Sequence, residues 1–104
     1  MLSKNKLIID NEGITQQLFF GKLKEFKWKE IRASHLSWIY HVHGASLEWV
    51  IVSSSGKSIN LQTSSYNRKN MRFIAEAIVE KCPHAKIDKR IINMAEGKFR
   101  WYIF

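Results

Sequence analysis

Cysteine and proline occur once each in the 104 residues, as the adjacent pair Cys82-Pro83. A lone thiol cannot close an intrachain disulfide and has no cysteine partner for a zinc knuckle, which excludes the stapled secreted mini-proteins and fits a reducing compartment. Long apolar runs are missing too. No stretch approaches the roughly 20 apolar residues of a membrane-spanning helix, and the first thirty residues lack the apolar centre of a signal peptide. The expectation is a cytoplasmic chain, mature as it stands, with peripheral attachment to a membrane as the closest approach to lipid. The sequence also has no Gly-rich phosphate loop, no Gly-x-Ser-x-Gly elbow, no His-Glu-x-x-His and no close carboxylate pair. It therefore reads as a non-enzyme with no cofactor and no small-molecule substrate.

Acidic residues are few, 9 against 17 Lys and Arg, for a formal charge of +8. The first fifty residues carry seven bases and five acids, the remainder ten bases and four acids, so most of the surplus lies in the second half. Lys57, Arg68, Lys69 and Arg72 follow one another with no intervening acid, and Lys81, Lys86, Lys89 and Arg90 are offset only by Asp88. Such a balance favours anionic partners, an acidic lipid surface or a nucleic acid, through a term that salt screens. It also serves plain solubility.

What the sequence has in quantity is apolar and aromatic side chains, 45% and 12% of residues, which is enough for one hydrophobic core. Most of them alternate. Lys6 to Asp10 and Ile14 to Phe20 flank the turn residues Asn11-Glu12-Gly13 and predict a hairpin. Leu23 to Ile31 places Phe26 and Trp28 on one side and Glu25, Lys27 and Lys29 on the other. From Ser34 to His43, Leu36, Trp38, Tyr40 and Val42 share one parity, and His35, Ser37, Ile39, His41 and His43 the other. Gly44-Ala45-Ser46 predicts a turn, Leu47 to Val52 a central strand covered on both faces, and Ile59 and Leu61 a sixth strand.

The period then changes from 2 to 3.6. Met71, Ile74, Ala75, Ile78, Val79 and Cys82 form one helical stripe, with Asn67 as N-cap and Pro83 as stop, which predicts a helix over about 67–82. Ala85 to Asp88 and Ile91 to Met94 are short apolar pieces. The closing Phe99-Arg100-Trp101-Tyr102-Ile103-Phe104 is either a seventh strand or a surface for a second subunit. The expected architecture is one mainly β domain over 1–104: strands over about 6–62 form an antiparallel barrel or sandwich of six or seven strands, capped by a single C-terminal helix, with 83–104 as a tail.

The Glu12-Gly13-Ile14 turn, the Trp28-Lys29-Glu30-Ile31 segment and the Asn-led helix ending in Cys82-Pro83 together resemble the bacterial pleckstrin-homology-like domains, over residues 6 to 88. The resemblance implies a binding or scaffolding barrel rather than an enzyme. The lipid-binding members of that family carry basic residues across the first hairpin, whereas this chain has Asp10-Asn11-Glu12-Gly13 there, preceded only by Lys4 and Lys6. Its two carboxylates repel phosphate.

Four sets of candidate residues follow. Lys57, Arg68, Lys69 and Arg72, the last three in the first turns of the helix, make an anion cradle, to be weighed against solvated charges that pair with Glu76. His41 and His43, with His35 on the same parity, have the His-x-His spacing of a metal pair but no acid or cysteine between them. Phe73, off the apolar stripe, and Trp101 and Phe104 in the tail are candidate partner contacts. Trp28, Trp38 and Trp49 fall on apolar parities and read as core, and Cys82 as a small hydrophobe. The functional expectation is a non-catalytic module that docks a protein partner, a second copy or an anionic surface. Its alternative is a small basic β-barrel that binds nucleic acid by charge and aromatic stacking.

Overall fold

The structure is a computed structural model that describes residues 6–17 and 23–98. Among these residues seven strands and two α-helices follow one another: β1 (Lys6–Ile9), β2 (Gly13–Gln17), β3 (Leu23–Lys27), β4 (Ile31–His41), β5 (Gly44–Ser53), β6 (Ser58–Gln62), α1 (Arg68–Lys81), β7 (Lys86–Ile87) and α2 (Lys89–Ala95). They form two sheets, ordered β1-β2-β3 and β6-β5-β4-β7. The mainly β class is as the alternation predicts. The inner parities of both sheets, Ile14, Phe26, Leu36, Leu47, Trp49, Ile51, Ile59 and Leu61, share one core with Met71, Ile74, Ala75, Ile78 and Cys82 of the helical stripe. The Ile, Leu, Met and Phe side chains among them each contribute about 1.5–3 kcal/mol on burial.

The first hairpin forms where its turn chemistry places it. The Asp10 carboxylate accepts from the backbone N–H of Glu12 (2.9 Å) and Gly13 (3.0 Å), an Asx-type turn that sets the β1–β2 register. Gly13 is needed for space. A Cβ there would lie against the Phe26 carbonyl oxygen and 2.8 Å from Lys27 Cα, both backbone atoms that cannot swing aside. Gly13→Ala is therefore expected to lose about 1–3 kcal/mol, the range of overpacking, seen as a lower urea midpoint at unchanged slope. A midpoint equal to wild type would mean that β2 and β3 separate at no cost.

The sheet does not close into a barrel. Among the described residues β3 shares no ladder with β4, because a 3-10 turn at Trp28–Glu30 intervenes. Trp28, predicted within the third strand, instead turns under the first hairpin, where its indole donates to the Asp10 carbonyl at 3.0 Å. On the other side the two sheets meet at the outer edge of β6. There Gln16 Nε2 donates to the Asn60 carbonyl and Lys24 Nζ to the Ser58 carbonyl, each at 3.1 Å. Two side chains bridge a gap that a closed barrel would fill with a backbone ladder, and the result is a sandwich-like pair of sheets.

Helix α1 begins as predicted, with Asn67 Oδ1 accepting from Asn70 N at 2.8 Å, and it ends at Cys82 before Pro83. A single capping helix was expected, but the tail adds a second. Asp88 caps α2 by accepting from Arg90 N at 2.9 Å, and Ile91 and Met94 are fully buried. The helix ends in a Schellman motif: Gly97 at φ 81° donates to the Met94 carbonyl and Lys98 N to the Asn93 carbonyl. The seventh strand is β7, parallel to β4 at Ala33 and Ser34. The terminal hexapeptide, read as the seventh strand or a subunit contact, lies outside the described residues. No helix among the described residues is long and apolar enough to cross a membrane.

Candidate functional site: an apolar arm and a cation-rimmed cleft

The β4–β5 hairpin departs most from the sequence reading. Its turn falls at Val42-His43, and β5 starts at Gly44 instead of after Ala45-Ser46. The hairpin is longer than its neighbours. β6 pairs with β5 only over Glu48 to Val52, and β7 pairs with β4 only at Ala33 and Ser34. Beyond β7 the open edge of β4 is occupied for one more residue, where Asp88 accepts from Leu36 N (3.2 Å) and Arg90 donates to the Leu36 carbonyl (2.9 Å). On the other flank Thr63 Oγ1 donates to the Leu47 carbonyl at 2.8 Å. Residues 37–46 then project as a two-stranded arm.

The inner parity of that arm should continue the core, yet it lies in water. Trp38 is 41% exposed, Tyr40 80% and Val42 94%, and Ile39 is exposed on the opposite face. Trp38, expected in the core with Trp28 and Trp49, is the exception among the three. Trp28 and Trp49 are buried, the latter donating to Ser34 Oγ at 2.8 Å. Parity shows which side chains share a face but not whether anything covers that face, which is why alternation alone missed the arm. A two-stranded ribbon is marginal in water on its own, and neighbouring exposed aromatic and branched residues on a small domain mark an interaction surface. No Lys or Arg occurs between Arg32 and Lys57.

Of the predicted cation set, Arg68, Lys69 and Arg72 stand in the first turns of α1, and Lys57 lies apart from them along the chain. Lys57 precedes β6, while Arg68, Lys69 and Arg72 follow it, so about 16 Å of strand at ~3.3 Å per residue separates Lys57 from the helix start. Lys57 instead lines a shallow cleft with Lys24. Arg72 is engaged with Glu76 Oε1 at 3.7 Å, the pairing anticipated from the i,i+4 spacing, and its guanidinium lies beside Gly97, where an added Cβ would come within 2.9 Å. Arg68 and Lys69 are exposed in the first turn.

His43 is exposed in the arm's turn, His35 is exposed on the outer parity of β4, and the His41 side chain lies outside what the structure describes. Among the described residues no three His, Cys, Asp or Glu lie close enough to hold a metal ion. His84 has a structural partner, its Nε2 lying 3.0 Å from the Ile31 carbonyl. Cys82 is fully buried, its thiol donating to the Trp28 carbonyl at 3.5 Å, and burial pushes its pKa up to about 11. It is a packing residue, as its place on the stripe implies.

Phe73 is 59% exposed, as its place off the stripe predicts, and it borders a cleft between α1 and the outer strand β1. Leu7, Ile9, Tyr66, Asn70 and Ile74 complete the lining, around a volume of about 250 Å³. Burial raises the Tyr66 hydroxyl pKa above its ordinary value. Trp101 and Phe104, the other candidate contacts, lie outside the described residues.

No family model, no curated protein and no solved structure matches this chain.

Proposed function

We propose that the chain is a non-catalytic docking domain of pleckstrin-homology-like architecture that binds a protein partner through the β4–β5 arm. The order of elements supports the architectural part: a strand meander ends in a helix whose Met71, Ile74 and Ile78 enter the core. The exposed row Trp38, Tyr40 and Val42 carries the functional part. Aromatic side chains are the usual anchors of protein interfaces, offering large apolar area at low entropic cost.

Charge separates this reading from its alternatives. Nucleic acid and acidic lipid are both held chiefly through Lys and Arg, and the arm has none. An electrically neutral apolar row suits a protein surface of the same character, and the +8 surplus elsewhere serves long-range attraction and solubility.

A photo-crosslinking residue placed at Tyr40, with a second variant at Glu80 as control, tests the proposal in cells. The expected result is one adduct of discrete mass from Tyr40, none from Glu80, and loss of the adduct when Trp38→Ser is added. An adduct of twice the chain mass would make the partner a second copy. Absence of a discrete adduct, or co-sedimentation of the purified chain with phosphatidylcholine or phosphatidylserine vesicles that Trp38→Ser abolishes, would remove the proposal.

A further inference from the structure

We propose that the cleft between β1 and α1 is a second docking site, which takes an extended, acidic peptide segment of a partner as an added strand on β1. This inference is independent of the arm. Among the described residues β1 is the outer strand of its sheet and pairs only with β2. The donation from Asp10 N to the Gly13 carbonyl at 3.1 Å sets the phase of the ladder. In an antiparallel pair alternate residues bond inward, so Asp10, Ile8 and Lys6 engage β2, and Leu7 and Ile9 aim their N–H and C=O groups at the open edge. Among the described residues nothing bonds to those groups. An open row of donors and acceptors is a template for one more strand.

The remaining walls suit side chains of such a strand. Tyr66, Phe73 and Ile74 stand opposite Leu7 and Ile9 around about 250 Å³, below the roughly 300–1,000 Å³ of small-molecule pockets and of a size for a few apolar side chains. The Asn70 side-chain amide borders the same space and has no hydrogen-bond partner among the described residues. Strand addition uses alternate residues, so the apolar side chains of the guest would recur at every second position.

Charge selects the rest. Lys69 is exposed in the first turn of α1 beside Asn70 of the lining, and no acid occurs in α1 before Glu76, which Arg72 engages at 3.7 Å. The end of the cleft at the helix N-terminus is cationic, and a guest with carboxylates at that end is attracted where a basic one is repelled.

Panning a random nonapeptide display library on the full chain tests this. The expected outcome is a consensus with apolar residues at alternate positions and at least one Asp or Glu. A synthetic peptide of that consensus should bind at least tenfold more weakly to Phe73→Ala, to Lys69→Glu and to Leu7→Pro, and more weakly in 0.5 M salt. Leu7→Pro deletes a donor on the open edge, a place where a strand tolerates proline, and the exposed Phe73 and Lys69 provide variants that leave the core alone. On titration the Leu7 and Ile9 amides should gain protection from hydrogen exchange. Failure to enrich any consensus, binding unchanged in all three variants, or amide changes confined to Trp38–Val42 would overturn the proposal. So would Leu7 and Ile9 amides already protected in the peptide-free chain, which would mean that the chain's own residues or a second copy occupy the edge.

Discussion

Replacing Trp49 by alanine is expected to bring the chain close to unfolding at room temperature. Trp49 is 1% exposed at the centre of the four-stranded sheet, and its indole donates to the buried Ser34 hydroxyl on the neighbouring strand. Truncating a buried Trp costs about 3–5 kcal/mol through lost transfer energy and the cavity left behind. A small domain has about 5–15 kcal/mol in total. The Ser34 hydroxyl adds to this, because it loses a partner where water cannot replace it. Trp49→Phe isolates that second part: most of the ring volume stays, and the loss falls to about 1–3 kcal/mol, the penalty of an unsatisfied buried group. Adding Ser34→Ala to Trp49→Phe removes the orphaned group and should restore part of the loss. Urea denaturation followed by far-ultraviolet circular dichroism gives all three values. Equal losses in Trp49→Ala and Trp49→Phe, or no recovery in the double variant, would show that the ring's packing and the Ser34 bond are not the two separable contributions described.

Asp88→Ala is expected to cost about 2–3 kcal/mol, since it strips a helix cap and leaves charge and N–H groups without their acceptor. One carboxylate serves three partners: Arg90 N at 2.9 Å, Leu36 N at 3.2 Å and the Arg90 guanidinium, whose Nη2 lies at 2.7 Å. The same guanidinium reaches the Leu36 carbonyl, so Asp88 and Arg90 together clamp α2 to the last supported residue of β4. Burial alone would raise the carboxyl pKa. The hydrogen bonds from Arg90 and Leu36 and the attraction of the Arg90 charge outweigh it and lower the pKa below its ordinary 3.8. The folded chain therefore binds the proton less readily than the unfolded one. Its advantage is complete above about pH 4–5 and is lost as pH falls through the lowered value. Asp88→Asn retains an acceptor for the cap but no charge, and should cost about 1 kcal/mol at pH 7, with the gap to wild type closing in acid. A gap that stays constant from pH 7 to pH 2.5 would contradict the clamp. Loss of the clamp should reach the arm as well, because Leu36 is where the arm departs from the supported sheet.

Much of this fold was legible because local chemistry and burial agree. The Asp10 turn, the Asn67 cap, the Pro83 stop and the alternation through β5 and β6 each depend on residues a few positions apart. The features that were missed depend on distant ones. Trp28 leaves its strand because its indole finds Asp10, eighteen residues away. The barrel stays open because the 3-10 turn at Trp28–Glu30 parts β3 from β4, while Gln16 and Lys24 reach β6 by side chains alone, contacts that no period can encode. Helix α2 did have a signal, Asp88 followed by Ile91, Met94 and Ala95 at helical spacing, but the run is only seven residues long and periodicity is weak at that length. For the candidate site, Phe73 was legible from its angle on the helix. The arm was not, because the same row of alternating apolar residues describes a covered face and a bare one. In the cation set, Arg68, Lys69 and Arg72 share the helix start as their spacing predicts, whereas the place of Lys57 depends on the course of β6, which spacing does not give.

The state of Cys82 has a practical consequence. With its thiol sealed beneath Trp28 and held protonated to about pH 11, the folded chain presents no reactive sulfhydryl at neutral pH. A maleimide dye will therefore label only a cysteine introduced by design, at Tyr40 on the arm or at Phe73 beside the cleft. Each surface can then report its own occupancy in an otherwise native molecule.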